Sequence, residues 1–533
     1  MKAKLQLPTI PESEKTPTLV QLLKLIETQA SFLGQQAEQI QLLKDEIARL
    51  KGQNPRPKIR PSRLENDRKT TVKRKGKKRS GSKKKKKTAK LQIHDTIAVE
   101  PEHVPQGSWF KGYNDFVVQG LTIKAHNICY RLKSYETPDG KYIAGKLPGR
   151  LKGKHFDPSL IRFILYQHYH CHVTQPLLLE QLHELDIDIS KGQLSNILIE
   201  NKNDFHKEKD QILATGLEVS SYVNVDDTGA RHKGKNGYCT HIGNEQFSWF
   251  ESTASKSRIN FLKLLRADHD DYIFNPEAIA YMRINQLPQK VLSAITANPD
   301  MCLANESGWN DFLTARGIVS PRHIKIATEG ALIGSIMEHG ISDNLVIVSD
   351  DAGQFNVLTH ALCWIHANRT IEKVIPFTEQ AKKDLAGIKD HIWELYQGLK
   401  NYRENPTASD KKSLESAFDD IFTTCTSSQM LNLALNRIYK NKPELLLVLN
   451  RPDIPLHNNS AENAIREYVK RRKISGSTRS EAGRQCRDTF TSLKKTCRKL
   501  GLSFWQYLQD RLENTRRIAD LSDLIRKQSL NPG

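Results

Sequence analysis

Three stretches of this chain set acids where they can act together. "SYVNVDD" (221–227) ends on Asp226 and Asp227, "NLVIVSDD" (344–351) ends on Asp350 and Asp351, and "HNNSAENAIR" (457–466) holds Glu462 among amides. In the first, strand alternation turns Val223 and Val225 to one face. Tyr222, Asn224 and Asp226 share the other, so Asp226 rather than Asp227 joins the polar set. The second carries a continuous apolar run, Leu345 to Val348, as in a strand buried on both faces. Asp350 is the first acid past it, at the carboxyl end of the strand, where open α/β sheets place their chemistry. Periodicity leaves Asp351 as the alternative. Glu462 lies on a new helix just ahead of four cations, Lys470, Arg471, Arg472 and Lys473. Its ordinary account is a capping box opened by Asn459.

Three converging carboxylates would repel and raise one another's pKa values. Hard divalent cations, Mg²⁺ or Mn²⁺, remove that penalty. Two such ions about 3.5–4 Å apart activate a water and stabilise the leaving oxygen of a phosphodiester. No G-x-S-x-G elbow, catalytic-cysteine signature or Gly-rich phosphate loop offers a different chemistry. "HYHCH" (168–172) has no second ligand pair at zinc-site spacing, so no zinc is expected there. The eight cysteines form no C-x-x-C pair and read as reduced thiols.

The elements that must position the acids follow from the pattern around them. "EVSSYVNVDD", "GYCTHIGN" and "QFSWFEST" read as three strands in a meander, followed by a helix, "SKSRINFLKLLRA", and a short strand, "DYIF". The buried strand before Asp350 comes after a mostly helical stretch, 276–343, that reads as an insertion. A second helical stretch, 366–445, precedes Glu462. Three antiparallel strands, a helix, then buried strands flanked by helices is the order of an RNase-H-like α/β fold.

Upstream, residues 19–51 keep a heptad. Leu19, Ile26, Leu33, Ile40 and Ile47 occupy a; Leu22, Gln29, Gln36, Leu43 and Leu50 occupy d. Eight of these ten are apolar, with β-branched residues favoured at a and Leu at d, which predicts a parallel two-stranded coiled coil. Of the net charge of +21, fourteen cations lie between 68 and 90 with no acid among them. That run, including Lys83, Lys84 and Lys85, has no apolar face to fold on and suits a DNA backbone. The segment from Pro176 to Ile199 reads as helix, turn, helix, with Ser190 capping the second helix and Lys191, Gln193 and Asn196 on its exposed face. No run of eighteen apolar residues predicts a membrane span. The first fifteen residues lack the apolar core of a secretory signal, so a cytoplasmic site of action is expected.

These residues together resemble a transposase of the insertion sequence 66 family, a branch of the DDE (Asp-Asp-Glu) transposases. "VDDTGARHKGKNG" resembles the family's first catalytic block, "SDDAGQF" its second and "HNNSAENAIR", the most specific, its third. The resemblance implies Asp226, Asp350 and Glu462 as catalytic and metal-binding residues, with Mg²⁺ or Mn²⁺, in two ions, as cofactor. It implies cleavage of double-stranded DNA at the element's terminal inverted repeats, then attack of the freed 3′-hydroxyl on target DNA. Lys470, Arg471, Arg472, Lys473, Arg479 and Arg484 are candidates to hold phosphates. "CWIHANR" (363–369) resembles a C-x-x-H feature between the second and third blocks, and Cys363 and His366 are expected to serve structure or DNA positioning rather than metal. Many members carry paired cysteines in a zinc-finger-like module; here only Cys129 stands in that region, so no zinc is expected.

The organisation expected is multidomain. A coiled coil (1–52) for homodimerisation leads into a basic, disordered linker (53–92), a small β-rich module (93–157) and a helix-turn-helix (158–205). The RNase-H-like core follows in two parts, 206–365 with the insert at about 276–343, and 451–533 with C-terminal helices, separated by a helical insertion (366–450). Accessory transposition proteins are possible partners, the bacterial nucleoid is the expected location, and no membrane is implied. Two rival functions remain open at this level: an RNase-H-like nuclease without strand transfer, and a catalytically silent DNA-binding regulator.

Overall fold

The computed structural model describes residues 92–530, with short breaks at 104, 106–107, 109–112, 114–115, 152–154, 298–301, 340 and 343, and a few isolated positions between 16 and 36. The predicted coiled-coil pairing and the basic run with Lys83, Lys84 and Lys85 lie outside the described residues.

The segment expected to be β-rich forms one hairpin among its described residues, β1 (Ser134–Glu136) with β2 (Tyr142–Ala144). Gly140, at φ +76°, supplies the left-handed position of its Pro-Asp-Gly turn. The apolar runs ahead of it pair with no strand among the described residues: Phe116 and Leu121 are exposed. Short β-prone runs need a partner surface to become strands, which is why only the turn-closed pair did so.

Helices follow: α1 (Pro158–Leu165), a π turn at Tyr166–His170, α2 (Gln175–Glu184), α3 (Lys191–Ile199) and α4 (Asn203–Val219). α3 opens with a reciprocal capping box between Ser190 and Gln193. α2 and α3 are consecutive helices joined by residues 185–190.

A mixed five-stranded sheet is the centre of the molecule. Its strands are β3 (Tyr222–Gly229), β4 (Tyr238–Gly243), β5 (Ser248–Thr253), β8 (Val346–Ser349) and β9 (Thr359–Leu362), in spatial order β5-β4-β3-β8-β9. β3, β4 and β5 are antiparallel; β8 pairs with β3, and β9 with β8, in parallel. Between β5 and β8 the chain forms α5 (Arg258–Leu265), β6 (Tyr272–Ile273), α6 (Pro276–Ile284), α7 (Gln289–Ile295), β7 (Cys302–Leu303), α8 (Glu306–Ala315) and α9 (Pro321–Glu338). β6 and β7 pair with each other. This stretch is mostly helical and packs tightly: a Cβ on Gly334 of α9 would clash with the Ile273 carbonyl.

After β9 come α10 (Trp364–Glu372), α11 (Glu379–Glu404), α12 (Ala408–Phe422), α13 (Gln429–Tyr439) and α14 (Lys442–Leu445). This helical insertion closes on itself, the Trp364 amide donating to the Leu456 carbonyl at 2.9 Å. The chain then returns through α15 (Asn459–Ser475), α16 (Glu481–Lys499), α17 (Phe504–Glu513) and α18 (Leu521–Leu530).

The strand pattern assigns the two faces of the sheet. Val223, Val225, Ile242 and Ile347 enter the large core that includes α4, α5 and α9. Val346 and Val348 face the helical insertion, while Cys239 and Phe250 pack on Ala464, Ile465 and Tyr468 of α15. β5 is an edge strand, and its outward amides are not left to solvent. Ser248, Phe250 and Ser252 donate to side chains of Thr496, Ser492 and Asp488 of α16 at 3.1, 2.9 and 2.8 Å. The match is geometric. Two strand residues advance about 6.8 Å and four helix residues about 6 Å, so residues i, i+4 and i+8 of a helix meet every second residue of a strand. The edge is thereby closed to further pairing.

Candidate active site

Asp226 lies in the second half of β3, and Asp350 immediately follows β8, its parallel neighbour. Both are half-buried. One Asp226 oxygen accepts the Asp227 amide at 2.8 Å. Burial, then Asp350, and more weakly Asp227 and Glu462, push the Asp226 carboxyl well above its ordinary range. The two adjacent acids behave differently from their neighbours. Asp227 accepts the Gln354 side-chain amide at 2.8 Å, which ties the loop after β8 to β3. Asp351 is exposed and meets Arg437 at 2.8 Å. Asp350 raises both Asp226 and Asp227, while Asp351 is paired with Arg437.

Glu462 is in the first turn of α15. The capping box that would be its ordinary account does not form. The helix begins at Asn459, and the N-cap is Asn458, which makes no side-chain cap. The Asn458 side chain instead donates to the Val225 carbonyl at 2.7 Å, one residue before Asp226. Its backbone amide donates to the Cys363 sulfur at 3.2 Å. Asn458 thus ties the start of the Glu462 helix to β3 and to the end of β9. Cys363 is fully buried, its thiol pushed up to about 11 by burial. It serves as an acceptor in packed structure.

The Glu462 carboxylate is 12% exposed and is approached by two guanidiniums, Arg466 at 3.2 Å and Arg369 at 3.4 Å, and by the His366 imidazole at 3.7 Å. Arg369 donates to His366 Nε2 at 2.8 Å. Burial and Arg369 hold the His366 imidazole below its usual range, so it is a neutral acceptor. The donor chemistry suits a hard divalent cation, since the strain on Asp226 is the kind such an ion relieves. The placement is less complete. Among the described residues no group of three His, Cys, Asp or Glu is gathered closely enough to hold a metal, and Glu462 is the acid turned to other partners.

The four cations after Glu462 do not form one solvated face. Lys470 and Lys473 are exposed. Arg471 is buried, its guanidinium over the Tyr169 ring at 4.6 Å from the centroid, and burial beside Arg487 lowers it to about 10. Arg472 donates to Thr228 Oγ1 at 3.3 Å and to the Gly229 carbonyl. Arg479 is exposed, and Arg484 pairs with Glu481. Lys191, Gln193 and Asn196 lie exposed on α3, with Gln193 Oε1 committed to the capping box at the Ser190 amide. His168 bonds the Val173 carbonyl at 2.9 Å and His172 meets Glu467 at 3.0 Å, so the "HYHCH" histidines are engaged locally and with α15. Sequence reasoning missed Asn458 and Arg369. The first was legible only as part of an amide pair, and the second as a cation three residues after His366.

Residues 334–486 match the profile of a family described as Transposase IS66 family. That span holds Asp350, Cys363, His366 and Glu462; Asp226 lies upstream of it. The chain is also 41% identical over 317 residues, 59% of its own length and 99% of the relative's, to the uncharacterized protein y4jO of Sinorhizobium fredii (strain NBRC 101917 / NGR234). Among the described residues no helix is long and apolar enough to cross a membrane.

Proposed function

The chain belongs to the IS66 transposase family, and from that premise we propose that it is the DNA transposase of an insertion sequence, cutting at the element's ends and joining the freed 3′-hydroxyl to target DNA. Asp226, Asp350 and Glu462 are the reacting site's acids in this reading. The observation that carries it is the juxtaposition of Asp226 and Asp350 on parallel neighbouring strands, with the Glu462 helix anchored beside Asp226 through Asn458. The strand order β5-β4-β3-β8-β9, three antiparallel and two parallel, supports an RNase-H-like core.

Asp226 and Asp350 would hold Mg²⁺ or Mn²⁺, with Glu462 joining them on release from Arg369. Such ions supply charge neutralisation and an acidified water or hydroxyl for phosphoryl transfer. The chain's own contribution is placement. β3 and β8 fix two carboxylates by their backbone register, and Asn458 fixes the approach of the third. The exposed face of α3, with Lys191, Gln193 and Asn196, supports a helix-turn-helix that reads the terminal repeats. The heptad supports a homodimer that brings two ends together, and the basic run supports backbone binding on DNA at the nucleoid.

The test is a strand-transfer assay on a duplex carrying the element's end, with Mg²⁺ or Mn²⁺. Joined product is expected, and Glu462→Gln should abolish cleavage and joining while DNA binding persists. Cleavage without joining would make the protein a nuclease, and binding alone a regulator; survival of activity in Glu462→Gln would remove that residue from the site.

A further inference from the structure

The hairpin joining β3 to β4 turns through two residues, Lys233 and Gly234, at φ +47° and +77°. His232 and Lys235 close it by exchanging both backbone hydrogen bonds, at 3.1 and 2.8 Å. This is a type I′ turn, whose first central position favours Asn, Asp or Gly. A lysine held there is strained relative to a residue at ease in the left-handed region. The Lys233 side chain is exposed, and packing gives no reason for it.

The tip is also fixed in place. The Lys233 amide donates to the Thr478 carbonyl at 2.9 Å, and the Thr478 amide to the Arg231 carbonyl at 3.3 Å. His232 Nδ1 meets Thr478 Oγ1 at 2.8 Å, and His232 Nε2 lies 3.5 Å from Glu481. Thr478 belongs to the connection between α15 and α16. The helix that carries Glu462 in its first turn is therefore followed, just past its last turn, by the segment that grips this hairpin. Around the tip, Lys233, Lys235, Lys473 and Arg479 are exposed, and none is in an ion pair among the described residues. The acid at this point, Glu481, is already held by Arg484 and His232.

We propose that the docked β3–β4 hairpin tip, with Lys233 and Lys235, and the segment that follows it in space, Lys473 in the last turn of α15 and Arg479 in the connection to α16, form a rigid clamp for the phosphate backbone of duplex DNA. The inference rests on the transposase reading and deepens it by naming where the substrate is gripped. From Asp226 to the turn the chain advances on the order of 20 Å at strand rise. At 3.4 Å per base pair that is about six base pairs from the reacting phosphate, half a helical turn. A clamp at that distance sets the angle of the duplex at the carboxylates. The cost of the left-handed lysine is then offset by a phosphate contact that a glycine cannot make.

The experiment measures affinity of the full chain for a random-sequence duplex of about three helical turns, in EDTA so that no chemistry occurs, over about 50 to 200 mM salt. Two variants are compared with the wild type: Lys233→Gly, which relieves the turn, and the triple variant Lys233→Gly, Lys235→Gln, Arg479→Gln. Each lost phosphate contact should flatten the slope of log affinity against log salt by about 0.9, and the triple variant by nearly 3. The basic run at 68–90 contributes equally in all three proteins. Lys233→Gly should melt no lower than wild type yet bind more weakly. Unchanged slope and affinity in the triple variant, with wild type still binding DNA, would overturn the clamp and leave the transposase reading standing. Failure of the wild type to bind DNA at all would overturn both.

Discussion

Asn458 Nδ2 and the Val225 carbonyl, 233 residues apart in the chain, meet at 2.7 Å. This bond joins the strand of the first acid to the helix of the third, and the Cys363 sulfur on the same asparagine's amide extends the joint to the end of β9. Asn458 is 1% exposed, so water cannot replace what it does. Asn458→Ala leaves the Val225 carbonyl short of a buried donor, at about 1–3 kcal/mol. It also frees the start of α15 to shift, and misplacement by about 1 Å costs on the order of 10²-fold in rate. The expected variant is folded, melts several degrees lower and is about a hundredfold slower in single-turnover cleavage. A rate within threefold of wild type would show that the joint does not set the site.

Asp350 and Asp351 should separate cleanly. Asp351 meets Arg437 at the surface, where an ion pair is worth about 0–1 kcal/mol. Asp351→Asn should leave both stability and activity nearly unchanged. Asp350→Asn removes a charge that helps to keep Asp226 from ionising. In metal-free buffer near neutral pH it should therefore raise the melting temperature while abolishing activity, a stability gain at a functional site. Added Mg²⁺ should stabilise the wild type and not this variant. Melts in EDTA and in Mg²⁺ decide it; equal loss of activity in both variants would point to a site built differently.

What could be read in advance depended on range. The strand acids were legible because period-two alternation and a doubly buried run are local signals, and Val223 and Val225 are indeed fully buried. Asp350 and Asp351 could not be told apart, because a strand apolar on both faces has no polar side to extrapolate. The capping box for Glu462 failed because the amide before the helix had a partner on β3, which no local pattern encodes. Arg471 was a candidate to hold phosphate, as one of a run of four cations. Its burial over Tyr169 is set by the π turn at Tyr166–His170, some three hundred residues upstream. In the segment expected to be β-rich, β-prone composition was read correctly as composition, but strands form on a surface that the sequence of one segment does not contain.

Glu467, on α15, should give the protein a marked acid dependence. His172, then Lys494 and Lys495, hold its carboxyl well below the ordinary value of 4.5. A depressed carboxylate stabilises the fold above its unfolded pKa, and that stability is lost as pH falls through and below about 4.5. Lys494 sits at 3.1 Å from Glu467, and its stronger burial lowers it to about 8. Glu467→Gln leaves this buried ammonium without its counter-charge. The loss at pH 7 should be about 2–3 kcal/mol, less than for a fully buried pair because Glu467 keeps 22% of its side chain in water. The gap from wild type should close progressively below pH 4.5. Denaturant melts across pH test it, and a gap that stays constant into acid would contradict the assignment.

The helix side chains that close the edge of β5 can be removed one contact at a time. Ser492→Ala strips the acceptor from the buried Phe250 amide, and Thr496→Val strips it from Ser248. Both substitutions keep nearly the same volume, so packing changes little and the orphaned donors dominate. Each should cost about 1–3 kcal/mol. The pair should cost roughly the sum less a few tenths, since the two sites share one helix and one strand. A second effect follows from topology. β5 is the outermost strand on its side of the sheet, and an edge with free amides recruits other strands. The double variant should therefore also aggregate at temperatures where wild type remains clear. Denaturant unfolding gives the first effect and light scattering on heating the second. Half-buried Ser529, whose hydroxyl bonds the Arg526 carbonyl within α18, supplies the control. Ser529→Ala should change neither, and double-variant stability within about 0.5 kcal/mol of wild type would mean that the amides find water instead.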